Sequence, residues 1–143
     1  MDMVHYYEIK AKWKQGKEGE LTEPTLPVIH TGTAPPFPGA VANVWAPEHL
    51  FVAAINGCLM TTFFAIAENS RLAFDFYECR ARGKLEKVEG RYMISEVVLQ
   101  PLIRVTFEKD IDRAERIIQK SESMCLISNS VKTKIVLDPE IVS

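Results

Sequence analysis

The run LFVAAINGCLMTTFFAIA from Leu50 to Ala67 is apolar on nearly every face of a helix, and it constrains the fold more than any other part of the chain. Pro47 and Glu48 mark its start. Proline suits the first helical position, where its missing N–H costs nothing, and a carboxylate is favourable in the positive first turn. The spacing predicts a helix from Pro47 to about Asn69. Such a helix lies either in a bilayer or in a protein core. Asn56, Gly57, Thr61 and Thr62 interrupt the run, which is already at the short edge of the ~20 residues that a membrane span needs. The expectation is a helix buried all round, with no membrane. A chain of 143 residues has little material to cover it, so a homodimer that wraps the helix is the economical solution.

On either side the apolar period shortens from helical to alternating. Tyr7, Ile9, Ala11 and Trp13 alternate and lead into Gln15-Gly16-Lys17-Glu18-Gly19, which predicts a strand, a hairpin turn and a second strand over 20–28. Six prolines between Pro24 and Pro47 leave no room for a long regular element there, and a loop of functional use is expected. After the helix, Phe74, Phe76 and Leu85 to Val88 predict strand. Glu89-Gly90-Arg91 predicts a tight turn, and Tyr92 to Val105 a return strand interrupted at Pro101. Ile111, Ala114, Ile118 and Cys125 recur at helical spacing behind Asp110, a candidate N-cap, and place Cys125 on the apolar stripe or just past its end. Ser128-Asn129-Ser130 breaks the pattern, and Thr133, Ile135 and Leu137 predict a final strand. The whole is one α+β domain over 1–143, without repeats.

A formal charge of −2 and the lack of any dense Lys/Arg block argue against nucleic acid and anionic membrane as partners. The start MDMVHYYEIK has neither the basic residues nor the apolar core of a secretory leader, so a cytoplasmic location is expected. Three scattered cysteines, Cys58, Cys79 and Cys125, do not form the dense even framework of a small secreted protein. In a reducing compartment a disulfide among them would be transient, and transient disulfides are usually catalytic or sensory.

Cysteine acts as a nucleophile only as the thiolate, so something must ionise Cys58. It stands ten residues beyond Glu48, roughly 15 Å along a straight helix and past the first turn, where the helix dipole could help. Apolar burial alone would raise its pKa, so reactivity demands a nearby cation or hydrogen-bond donors from elsewhere in the fold. Equally, Cys58 can be a small core residue, since free cysteine is among the most buried residue types. Cys79, between Glu78 and Arg80 on a strand, has no partner motif and reads as structural. Whether Cys125 can reach Cys58 is a question of geometry that spacing leaves open. The histidines at 5, 30 and 49 show no metal-ligand spacing, so no metal is expected. Phosphate-binding glycine loops and the G-x-S-x-G elbow are missing too, against nucleotide enzymes and serine hydrolases.

Ala46-Pro47-Glu48-His49-Leu50-Phe51-Val52-Ala53-Ala54, followed by Asn56-Gly57-Cys58, resembles the nucleophile helix of the osmotically inducible protein C and organic hydroperoxide resistance (OsmC/Ohr) family. Ala114-Glu115-Arg116 leading through Cys125-Leu126-Ile127-Ser128-Asn129-Ser130-Val131-Lys132 is similar to its resolving-cysteine segment. Gly83-Lys84-Leu85 and the hairpin after it resemble the sheet between them, so the likeness spans most of the chain.

The resemblance implies antiparallel sheets packed around a long buried central helix, in an intertwined homodimer with its active sites at the interface. It implies a thiol-dependent peroxidase for organic hydroperoxides, with Cys58 attacking and Cys125 resolving. No cofactor is implied beyond an external dithiol reductant, which in the family is often a lipoylated protein. Glu48 matches the glutamate that orients a catalytic arginine. Here the chain departs from the pattern, for no arginine precedes Arg71, and the corresponding turn of the N-terminal hairpin offers only Lys14 and Lys17 as substitute cations. Lysine lacks the planar fork that holds a thiolate and a carboxylate together. A redox-sensing or ligand-binding protein with little turnover is therefore the alternative. Phe51, Leu59, Met60 and Phe63, with Phe37 and Trp45 of the Pro-rich loop, are candidates for an apolar substrate pocket, and equally for ordinary core.

Overall fold

The computed structural model describes residues 2–143. The chain divides into two compact units, one ending at Leu50 and the other beginning at Phe51.

In the first unit, β1 (Lys10–Gln15), β2 (Glu18–Thr22) and β3 (Ile29–Gly32) form an antiparallel sheet in that order. The hairpin turn falls where the glycines predict it, with Gly16 at φ 49 and the Trp13 indole N–H donating to the Gly16 carbonyl at 2.9 Å. Two expectations need correction. The first strand begins at Lys10 and not near Tyr7, and the second ends at Thr22, short of Val28. The prolines also leave room for β3, a strand of only four residues.

Helix α1 (Pro47–Asn69) starts and stops as predicted. At its start the Ala46 N–H donates to His49 Nδ1 at 3.0 Å, the side-chain half of a capping box. At its end Arg71 takes φ 54, the Arg71 N–H reaches the Glu68 carbonyl and the Leu72 N–H reaches the Ala67 carbonyl. That double closure is a Schellman motif, and the buried Leu72 packs back over Ala67 as the motif requires.

The second unit holds the long hairpin of β4 (Phe74–Val88) and β5 (Arg91–Val105). Glu89 and Gly90 both have positive φ, the two-residue turn that matches strand twist. Helix α2 (Ile111–Ser123) follows a 3-10 turn at Glu108–Asp110. Asp110 makes no side-chain cap and instead lies 3.4 Å from Arg113, whose guanidinium also donates to the Ser70 carbonyl. Strands β6 (Lys134–Leu137) and β7 (Glu140–Val142) complete the sheet, both parallel to β5. The sheet is thus mixed and not purely antiparallel, because α2 serves as the crossover that a parallel return needs. Pro101 does not interrupt β5, which runs through it.

The core lies between α1, α2 and the inward side chains of β5. Ile55, Leu59, Phe63 and Ala67 form one stripe along α1 and meet Val97, Leu99, Ile103 and Val105 of β5 and Ala114, Ile117 and Ile118 of α2. A single chain covers only that stripe. Met60 and Phe64 on another face are 37% and 40% exposed, so the all-round burial expected of α1 is not supplied within one chain.

Candidate active site

Cys58 stands midway along α1 and is partly exposed, whereas Cys125 lies two residues past the end of α2 and is fully buried. The fold brings the two thiols near enough for each to shift the acidity of the other. The Thr62 hydroxyl, one turn further along α1, lies 3.9 Å from the Cys58 sulfur. The remaining partners come from the backbone. The backbone of Ile127 and of Leu126 acts to lower the pKa of the Cys58 thiol.

These contacts follow from how α2 ends. Met124 leaves helical geometry at φ −100, ψ 0, and its N–H reaches back to the Lys120 and Ser121 carbonyls. Cys125 N–H bonds the Glu122 carbonyl at 3.2 Å, and past the turn Asn129 N–H bonds the Cys125 carbonyl at 3.0 Å. Ser130 closes the 3-10 turn through its N–H to Ile127 and its hydroxyl to the Leu126 carbonyl.

The two thiols are driven apart in acidity. Burial pushes the Cys58 thiol up, but the hydrogen bonds from Cys125, Ile127, Thr62 and Leu126 outweigh it, and the net shift is below the ordinary thiol value. For Cys125 burial and the bond to Cys58 both push upward, Ser128 opposes them, and the thiol titrates above its ordinary value. Of the two, Cys58 is thus the more acidic thiol. Within the unit from Phe51 onward, no charged side chain is among the groups acting on Cys58.

Nearby, Glu122 closes the last turn of α2 with a carboxyl raised by burial and opposed by Ser128. The Ser128 hydroxyl perturbs both Glu122 and Cys125 without completing a short hydrogen bond to either.

The other predicted residues are distributed as follows. Glu48, Lys17 and Phe37 line one cleft of about 360 Å³ in the first unit. Lys17 Nζ donates to the Pro38 carbonyl at 2.7 Å, and Lys14 lies 3.9 Å from Glu18, so each substitute cation has a partner of its own. Trp45 is exposed and meets His49 edge-on at 6.3 Å between centroids. Leu59 and Phe63 are both fully buried on the core stripe of α1, Phe63 against Phe74 and Tyr77. Phe51 packs partly buried against that core, and Met60 is exposed. Cys79 sits opposite Pro101 on β4, its thiol pushed up by burial, and its carbonyl accepts from Asn56 Nδ2 at 3.0 Å, a structural setting. Sequence reasoning missed Thr62, Glu122, Ser128 and the Leu126–Ile127 amides. Backbone donors carry no residue-type signature, and only the helix-breaking Ser128-Asn129-Ser130 hinted that amides would be released there.

Comparison with known proteins agrees with this arrangement of elements. The family model for OsmC-like proteins matches residues 42–140. A structure of an OsmC-like protein of unknown function from Vibrio cholerae superposes with a TM-score of 0.86 at 25% identity, covering 96% of this chain and all of the other. An organic hydroperoxide resistance protein from Elizabethkingia anophelis superposes with a TM-score of 0.76 at 20% identity, covering 99% of each chain. The uncharacterized protein YmaD of Bacillus subtilis is 20% identical over 139 residues, 95% of this chain and 93% of its own.

Proposed function

The chain belongs to the OsmC-like family, and on that premise we propose that it is a thiol peroxidase for organic hydroperoxides, with Cys58 attacking and Cys125 resolving. What supports this reading is that the fold brings Cys125 beside Cys58, with the Cys58 thiol shifted below its ordinary value and the Cys125 thiol above it. The Cys58 thiolate attacks the terminal peroxide oxygen, the S–O bond forms as the O–O bond breaks, and the alkoxide leaves as alcohol after taking a proton. Cys58 is then a sulfenic acid. The Cys125 sulfur attacks it, the S–O bond breaks with loss of water, and a disulfide remains. An external dithiol, which a lipoylated protein could supply, returns both thiols by exchange. The proposed working form is a homodimer in the cytoplasm, because one chain leaves Met60 and Phe64 of α1 uncovered.

A second reading, a redox sensor or ligand-binding protein with little turnover, draws support from Lys14 and Lys17, which are each engaged elsewhere. Steady-state consumption of an alkyl hydroperoxide with a dithiol separates the two. Peroxidase turnover that vanishes in Cys58→Ser supports the first reading. Turnover unchanged in that variant sinks both roles for Cys58, and wild-type oxidation that stops after one equivalent favours the sensor.

A further inference from the structure

We infer that Arg113 is a positioning residue for the cysteine pair: it clamps the start of α2 to the end of α1 and so sets the register in which Cys125 meets Cys58, an inference that rests on reading the two thiols as a redox pair. Arg113 Nη1 donates to the Ser70 carbonyl at 2.6 Å, and Nη2 reaches the Arg71 carbonyl at 3.5 Å and the Asp110 carboxylate at 3.4 Å. Ser70 and Arg71 close α1, and the carbonyl end of a helix favours a cation. Asp110 precedes α2, is buried and makes no side-chain cap, so its carboxylate is left to Arg113. A planar fork can hold two carbonyls and a carboxylate at once, and lysine has no such fork.

The two cysteines stand at equal arms from this clamp. Cys58 lies twelve residues before Ser70 and Cys125 twelve residues after Arg113, about 18 Å along each helical path at 1.5 Å per residue. Between the clamp and the thiols the helices share one core, Leu59, Phe63 and Ala67 of α1 with Ala114, Ile117 and Ile118 of α2. Folded back from a common pin, equal arms bring the two cysteines to the same level, which agrees with each thiol shifting the acidity of the other. A packed helix transmits a displacement at one end to the other, so slippage at the clamp reaches Cys125. A disulfide tolerates little of it, because the two Cα atoms must come within about 4.4–6.8 Å. Cys125 is fully buried, and close packing limits the motion that could make up the difference.

The test is the equilibrium of the pair with glutathione. Glutathione disulfide takes two electrons from the thiols, the Cys58–Cys125 bond forms, and two glutathione thiols are released, so no peroxide is needed. Alkylation of the remaining thiols, read by mass spectrometry, gives the fraction closed at each glutathione ratio. Arg113→Gln should lower the equilibrium constant for closure about tenfold, and Arg113→Lys should not restore it, since one ammonium cannot hold all three acceptors. Urea unfolding of the reduced proteins is measured beside it, because a tie that only stabilises the fold lowers the midpoint and leaves the closure constant alone. A closure constant unchanged in Arg113→Gln, or restored in Arg113→Lys, overturns the inference. If Arg113→Gln fails to fold, Asp110→Asn takes the charge off one acceptor while keeping its shape, and should lower the constant about threefold. A constant equal to that of the unaltered protein overturns the inference there too. An unaltered protein that forms no Cys58–Cys125 disulfide sinks the redox pair and the clamp together, whereas closure that is equal with and without Arg113 sinks the clamp alone.

Discussion

Val52 of α1 lies so close to Gly83 of β4 that a Cβ at residue 83 would meet Val52 Cγ2 at 2.6 Å. Helix and strand approach at this point because glycine leaves the space, and Ile94 Cγ2 closes the other side at 3.4 Å. Gly83→Ala should therefore overpack the α1–β4 contact and cost about 1–3 kcal/mol. Urea denaturation measures it, and an unchanged midpoint would show that α1 can move away without penalty.

Removing the Cys125 thiol takes away the first-ranking hydrogen bond that favours the Cys58 thiolate. Cys125→Ala should raise the pH at which Cys58 is half-alkylated, towards that of an unperturbed thiol. It should also leave a long-lived sulfenic acid after peroxide, trapped by dimedone. An unaltered alkylation profile would mean that the two sulfurs do not communicate.

Glu122 gives a prediction with a defined sign. Burial raises its carboxyl pKa in the folded chain, and the last turn of a helix is an unfavourable place for negative charge. A raised folded pKa means that this group favours the fold fully below the unfolded carboxylate value and loses that contribution as pH rises through the folded value. Glu122→Gln removes the charge, so it should raise the melting temperature at neutral pH and have no effect once the medium is acidic enough to protonate both states. A gain that persists undiminished at acid pH contradicts the assignment.

Thr133 is buried and donates to the Ile94 carbonyl at 2.8 Å, a tie from the approach to β6 across to β5. Thr133→Val keeps the shape and deletes the donor, and should destabilise the chain by about 1 kcal/mol. Equilibrium unfolding that matches the parent protein would show that the tie contributes nothing.

What could be read from the residues divides along physical lines. Helix α1 was legible at both ends, because Pro47, Glu48 and the continuous apolar run are local signals. So was the Glu89-Gly90 turn, where positive φ selects the residue type. Strand β3 was hidden by the prolines on either side of it, and the parallel pairing of β6 and β7 by their shortness, since direction is settled by the path of the chain and not by alternation. The cysteine pair was legible as a resemblance, while its activation was not. The search for a cation pointed to Lys14 and Lys17, yet the groups that lower the Cys58 thiol are neutral and include the backbone of Leu126 and Ile127, which carries no residue-type signal. Leu59 and Phe63 lie on the core stripe of α1, and their sequence left core and pocket open because both call for the same apolar side chains.

Pro101 carries a last consequence. The Leu99 carbonyl faces the β6–β7 side and accepts from the Asp138 N–H at 2.8 Å, so the donor that proline lacks two residues on faces the same way. It falls at the gap between the partners of β6 at residues 96–99 and those of β7 at 102–104. The outer edge of β5 is thus stitched in two separate lengths, with an unstitched notch between them.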